Sequence, residues 1–200
     1  MMADKGILLN TSMVQATLAN RKNQTRRLNG LKEINACPDD WNLVDFSKDP
    51  ELMRSGEEKT FIKKGLIATF ESNRHGEYYQ NIKCPWEPGD VLYVRETWNG
   101  IRLGNKMEYW HKAGNVFEDS ADEKWRPSIH MPREAARLFL KVKDVRVERL
   151  HNITEEDTRS EGFNAYIIFT NVWDDIYLKR GFGWEMNPWI WVITFDWRAL

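Results

Sequence analysis

The segment Leu138 to Leu150 constrains the fold more than any other, because it carries a long β pattern with a slip in it. Leu138, Leu140 and Val142 share one side of a strand, since successive side chains of an extended backbone point to opposite faces. The pattern resumes out of phase at Val145, Val147 and Arg149. A slip at Lys143-Asp144 predicts a β-bulge, which bends a strand and lets a small sheet curve. The closing segment Trp189 to Phe195 alternates Trp189, Trp191, Ile193 and Phe195 against Ile190, Val192, Thr194 and Asp196. Both faces are apolar at its start, as in a strand covered on both sides.

Shorter elements surround these two strands. Gly6 to Leu9 reads as a strand, and Thr11 or Ser12 caps a helix that buries Met13, Val14, Thr17 and Leu18. Leu66 to Glu71 and Tyr78 to Ile82 form the arms of a hairpin around Asn73-Arg74-His75-Gly76. Pro88 and Gly89 suit the central positions of a type II turn before the strand Val91 to Trp98. Thr154 with Asp157 makes a capping box for a short helix that ends at Gly162. Asn164 or Thr170 opens a second helix through Trp173, Ile176 and Tyr177, stopped by Gly181. Residues 29–64 read as a polar insertion held to the body by Trp41, Leu43, Val44 and Phe46. The whole is one α+β domain over residues 1–200.

The basic run Asn20-Arg21-Lys22-Asn23-Gln24-Thr25-Arg26-Arg27 stands out chemically, with four cations, three amides and one threonine. Asn20 tolerates the left-handed conformation that ends a helix, so the run leaves the helix as a tight loop and enters a strand at Thr25. Such a loop is suited to cradling an anion. Like charges around Lys22 favour its neutral form where the loop is desolvated, and a neutral amine can take a proton from a hydroxyl. Thr25 lies three residues on. In the strand Val91 to Trp98, alternation carries Glu96 and Trp98 to the side of Leu92 and Val94, with Arg27 or Arg95 available to pair the glutamate.

These motifs resemble the ASCH domain, a branch of the PUA-like β-barrels. That family carries Gly-x-Lys-x-x-Glu-x-Arg after its first helix; Lys22 and Arg27 fit, while Asn20 replaces the glycine and Thr25 the acidic residue. The small bacterial acetylcytidine amidohydrolases of this family also carry threonine there, with a later glutamate that matches Glu161 in Ile153-Thr154-Glu155-Glu156-Asp157-Thr158-Arg159-Ser160-Glu161. Trp125-Arg126-Pro127-Ser128-Ile129-His130-Met131-Pro132 is similar to a stretch of longer phage-encoded members. The resemblance implies a PUA-like barrel with flanking helices. It also implies a nucleoside- or RNA-directed hydrolase that removes an acyl group from an exocyclic amine, as in acetylcytidine, through Lys22, Thr25 and Glu161. Arg21, Arg26, Arg27, Arg95, Glu96 and Trp98 would then bind the nucleoside or RNA.

Other functions stay open on the same residues. Lys22, Arg26 and Arg27 can bind phosphate without catalysis. A metal-independent ribonuclease, or a phage accessory factor bound to a host protein, would also use this framework. The formal charge of -1 argues against a histone-like or tail-driven nucleic-acid binder but leaves room for a local basic groove. Cys37 and Cys84 make neither a metal spacing nor a disulfide framework, and His75, His111, His130 and His151 are scattered, so no metal or cofactor is expected. With no run of membrane length and no signal-peptide pattern, the expected place is the cytoplasm, that of the host for a phage protein.

Overall fold

A computed structural model of the chain describes residues 4–53, 60–76, 78–114 and 124–199. It is a mixed α+β structure made mostly of sheet. In chain order the elements are β1 (Asp4–Leu8), α1 (Thr11–Leu18), β2 (Gln24–Arg27), β3 (Trp41–Lys48), β4 (Glu51–Met53), β5 (Thr60–Ile62), β6 (Leu66–Ser72), β7 (Tyr79–Lys83), β8 (Val91–Arg95), β9 (Trp98–Leu103), β10 (Lys106–His111), β11 (Leu138–Arg149), α2 (Glu155–Ser160), α3 (Tyr166–Tyr177) and β12 (Trp189–Ala199). Among the described residues no helix is long and apolar enough to cross a membrane.

The main sheet has the order β1-β8-β11-β12-β2, with β1 and β8 parallel and the other pairs antiparallel. Its strands do not close into a barrel among the described residues, which corrects the expected barrel. The strands that follow β2 do not extend its edge; β3, β6 and β7 form a separate three-stranded sheet. The two sheets meet face to face over one core, where Leu92, Val94, Leu140, Trp191 and Ile193 meet Ala68 and Phe70. Phe70 packs edge-on against Trp189, with ring centroids 5.1 Å apart.

The slip in β11 is a bulge: the register with β12 shifts between Val142 and Asp144. On its other edge Val142 continues the pairing with β8 into the turn that precedes that strand. The Gly89 N–H donates to the Val142 carbonyl at 2.9 Å and the Val142 N–H to the Asp90 carbonyl at 2.9 Å. Gly89 has φ 94°, as a type II turn demands at its third position.

The segment 29–64 is tied to the body by more than apolar contact, although residues 54–59 lie outside the described residues. The Asn35 amide donates to the Trp189 carbonyl and accepts from its N–H, at 2.8 and 2.7 Å. Trp41, Leu43 and Phe46 pack on the core. Val44, expected beside them, is 49% exposed, because alternation places it on the face opposite Leu43, and the bulge between Leu43 and Asp45 then returns Phe46 to the core side.

Candidate functional site

Lys22 and Glu161 are brought together by the ends of two helices. After α1 the chain turns at Asn20, which has φ 54° and whose side-chain oxygen accepts from the Trp197 indole at 3.0 Å. The Arg21 and Lys22 N–H groups then both donate to the Ala16 carbonyl. On the other side, α2 starts with the Thr154–Asp157 capping box and stops at Glu161. Lys22 and Glu161 form an isolated antiparallel bridge. Gly162 follows with φ 92°, and a Cβ there would stand 2.8 Å from Ala16 Cβ and 3.2 Å from Lys22 Cβ. Only glycine permits both that conformation and that approach.

The Lys22 amine is fully buried and makes three hydrogen bonds: to Glu161 Oε2 at 2.5 Å, to the Gln24 carbonyl at 2.7 Å and to the Glu161 carbonyl at 3.1 Å. Three acceptors match the three donors of an ammonium. Burial pushes the Lys22 pKa down, Glu161 opposes that, and Arg27 and Arg26 add to it. Desolvation is therefore a larger cause than the like charges that the sequence suggests.

Arg26 extends the pair into a network. Its guanidinium reaches Glu161 Oε1 at 3.2 Å, Glu148 at 3.2 Å, Asp157 at 3.3 Å and the Gln24 side chain at 2.7 Å. Arg146 bonds Glu148 and Asp157 from the outer side, both at 2.9 Å. Three cations thus face three carboxylates. Burial alone would raise the Asp157 carboxyl, but the Thr154 N–H, Arg26 and Arg146 outweigh it and hold it at about 2.

Thr25 stands apart from this network. Gln24 and Arg26 turn toward Glu161, so period-2 alternation directs the intervening Thr25 to the other face of β2, that of its register partner Ile193. Its hydroxyl is buried and has no hydrogen-bond partner. The structure thus brings Lys22 and Glu161 into contact but sets up no proton transfer between Lys22 and Thr25.

The expected binding residues are dispersed. Arg21 lies at the surface and donates to the Gly162 carbonyl at 3.3 Å. Arg27 donates to the Leu8 and Arg26 carbonyls at 2.8 and 2.9 Å, fastening β2 to β1. Arg95 clamps the segment after residue 127 by donating to the Met131 and Ile129 carbonyls. Glu96 is 1% exposed and pairs with neither Arg27 nor Arg95, a correction to the expected partners. Arg137 holds it through two bonds of 3.0 Å. Arg137 immediately precedes β11, which pairs with β8, so strand pairing rather than sequence spacing brings the ion pair together. Trp98 is 4% exposed, packs with Met131, Ala135, Ala136 and Phe139, and lies under the Arg126 guanidinium at 5.0 Å. It is a core residue and presents no open ring face for a base.

A cleft of about 570 Å³ opens between β1, the start of α1 and the end of α3. This volume falls in the range of small-molecule sites, about 300–1,000 Å³. Arg27, Lys32 and Arg180 border it together with Trp86, Tyr177 and Phe182, and among the described residues no carboxylate lines it. A smaller recess of about 20 Å³ shares Met13, Arg27, Ile176 and Tyr177 with the cleft and ends on Arg26 and Glu161. Lys32, Tyr177 and Arg180 escape sequence reasoning because the cleft joins segments far apart in the chain. Among the described residues, no group of three or more His, Cys, Asp or Glu side chains is placed to hold a metal ion.

No protein-family model, no curated protein and no solved structure matches the chain.

Proposed function

We propose that the chain binds a phosphate-bearing nucleoside, either a nucleotide or one unit of a single-stranded RNA, in the cleft beside β1. One observation carries this reading: three cations, the half-buried Phe182 and the exposed Leu8 and Ile176 border a cleft of about 570 Å³ with no carboxylate among its described lining residues. Arginine and lysine supply charge-assisted bonds to phosphate, and the half-buried Phe182 ring with the exposed Leu8 and Ile176 side chains offers apolar surface to a base. The test is titration with nucleoside monophosphates, followed by tryptophan fluorescence, for wild type and a Lys32→Glu/Arg180→Glu variant. Both side chains are exposed, so the variant should fold. Each lost phosphate contact is expected to weaken binding by about tenfold or more, since a hydrogen bond to a charged group contributes about 1.5–3 kcal/mol. Equal affinity of variant and wild type sinks the reading.

A second reading, amide hydrolysis of an acylated exocyclic amine such as that of acetylcytidine, is favoured by a different observation. Glu161 borders the recess that adjoins the cleft, and it touches Lys22. In this reading the proton between Lys22 and Glu161 would pass to Glu161 and from it to the departing amine, and Lys22, then neutral, would take the Thr25 proton as the Thr25 oxygen bonds the acyl carbon, which water later releases. Lys22 would have to give up one of its three acceptors, and the backbone of β2 would have to shift, before the amine met Thr25. The relation to ASCH and PUA-like proteins is part of the same reading and is supported by the run from α1 through Arg27 and by the capping box before Glu161. Turnover of acylated cytidines, lost in folded Lys22→Met and Glu161→Gln variants, is the expected result. A folded wild type that leaves such substrates intact sinks it.

A further inference from the structure

We infer that the ligand of the cleft is a single-stranded polynucleotide that runs out of it over the segment 124–133, rather than a free nucleotide. The inference rests on the cleft-binding reading above and specifies its ligand. The segment lies at the border of the cleft, since its Ser128 lines the cleft wall. It also carries Lys124, Arg126, His130 and Arg133, all exposed, and no carboxylate from 124 to 133.

The contacts trace a continuous path from the cleft to these cations. Gly6 belongs to the cleft wall, and a Cβ placed on it would meet the Tyr93 ring at 2.9 Å and Arg95 Cδ at 3.0 Å. Arg133 stands over that Tyr93 ring, 5.8 Å from its centroid. Arg95 donates to the Ile129 and Met131 carbonyls, which fixes the backbone of the segment against β8. Arg126 is held by its stacking on Trp98 and by the bridge between its backbone and that of Trp98. Cations therefore follow one another from Arg180, Lys32 and Arg27 in the cleft, through Arg95, to Arg133 and Arg126 outside it. Phosphates recur along a polynucleotide strand, so a file of cations on fixed backbone complements it, whereas a mononucleotide needs only one such group. The cleft itself has room for an unstacked nucleotide and not for a duplex.

The experiment compares a uridine dinucleotide with a uridine decanucleotide, both fluorescently labelled, by anisotropy over a range of salt. Wild type, Arg180→Glu, Arg133→Glu and Arg126→Gln/Arg133→Glu proteins are used after a circular dichroism check. The decanucleotide should bind more tightly than the dinucleotide. The Arg133 variants should weaken the decanucleotide alone and flatten its logarithmic salt dependence by about 0.7 per lost phosphate contact. Arg180→Glu should weaken both ligands. Should the two lengths bind alike, with the Arg133 variants indistinguishable from wild type, the path is wrong while the cleft reading stands. Should Arg180→Glu leave the dinucleotide unaffected, or should neither oligonucleotide bind wild type, the cleft reading falls and this inference with it. Arg133→Glu alone leaves the Arg126–Trp98 stack in place, so a local packing defect in the double variant cannot mimic the expected result.

Discussion

Replacing Glu161 by glutamine keeps the shape of the buried site and removes one charge. The Lys22 amine has no solvent exposure and the Glu161 side chain is 3% exposed, so water does little to screen the pair. Lys22 would keep its bonds to the Gln24 and Glu161 carbonyls, and Arg26 would keep Glu148 and Asp157. The lost element is the compensating charge beside a desolvated ammonium. Removing one partner of a buried ion pair costs about 3–5 kcal/mol, whereas replacing both is often close to neutral. Lys22→Met should cost less, about 1.5–3 kcal/mol, because Glu161 still accepts from Arg26 at 3.2 Å. The double variant Lys22→Met/Glu161→Gln should therefore be more stable than Glu161→Gln alone. Urea unfolding followed by circular dichroism measures these differences. In a thermal scan, a 3–5 kcal/mol loss lowers the midpoint by roughly 6–20 °C, since each kcal/mol shifts a chain of this size by about 2–4 °C. A Glu161→Gln protein within about 1 kcal/mol of wild type, or a double variant less stable than it, refutes the reasoning.

The same lysine gives a pH signature. Its folded pKa lies below 10.5 because of burial, so between that folded value and 10.5 the unfolded chain holds more protons and stability rises with pH. The difference in unfolding free energy between wild type and Lys22→Met should accordingly move in favour of wild type through that window; a difference independent of pH up to 10.5 contradicts it. Asp157 acts in the same direction but in the acid range: its stabilisation is complete above the ordinary 3.8 and is lost as pH falls toward about 2, so Asp157→Asn should be less sensitive to acid than wild type. Arg137→Met leaves Glu96 buried without its cation and should cost about 3 kcal/mol in urea unfolding, the low end for a broken buried pair because Arg137 is partly exposed. Of the two thiols, exposed Cys37 should react with a disulfide reagent in the native protein. Cys84, pushed up to about 12 by burial, should react only after unfolding; labelling of both at equal rates in native protein counts against the packing described.

Local rules carried much of the architecture. The β11 slip needs only the alternation of its own residues, and the Thr154–Asp157 cap needs only a hydroxyl and a carboxylate three positions apart. The turn at Asn20 follows from a side chain that tolerates positive φ. The second helix starts at Tyr166 with Ala165 as its cap, not at Asn164 or Thr170, and no cap side chain marks that boundary. The contact of Lys22 with Glu161 was legible only through resemblance, because 139 positions separate them.

What the sequence alone determined is β1, β6, β7, β8, β11, β12 and the α2 cap, because periodicity and capping act between neighbours along the chain; it missed β3, β4, β5, β9 and β10, and α1 is capped by Asn10 rather than by Thr11 or Ser12. Tertiary structure alone decided that Thr25 faces away from Glu161, that Arg137 rather than Arg27 or Arg95 neutralises Glu96, and that Arg27, Lys32 and Arg180 share a cleft. The physical reason is that a charge finds its partner across strand pairings and helix ends. Which strands pair depends on how two sheets bury Trp191, Phe70 and their neighbours together, a property of the whole core rather than of any one segment.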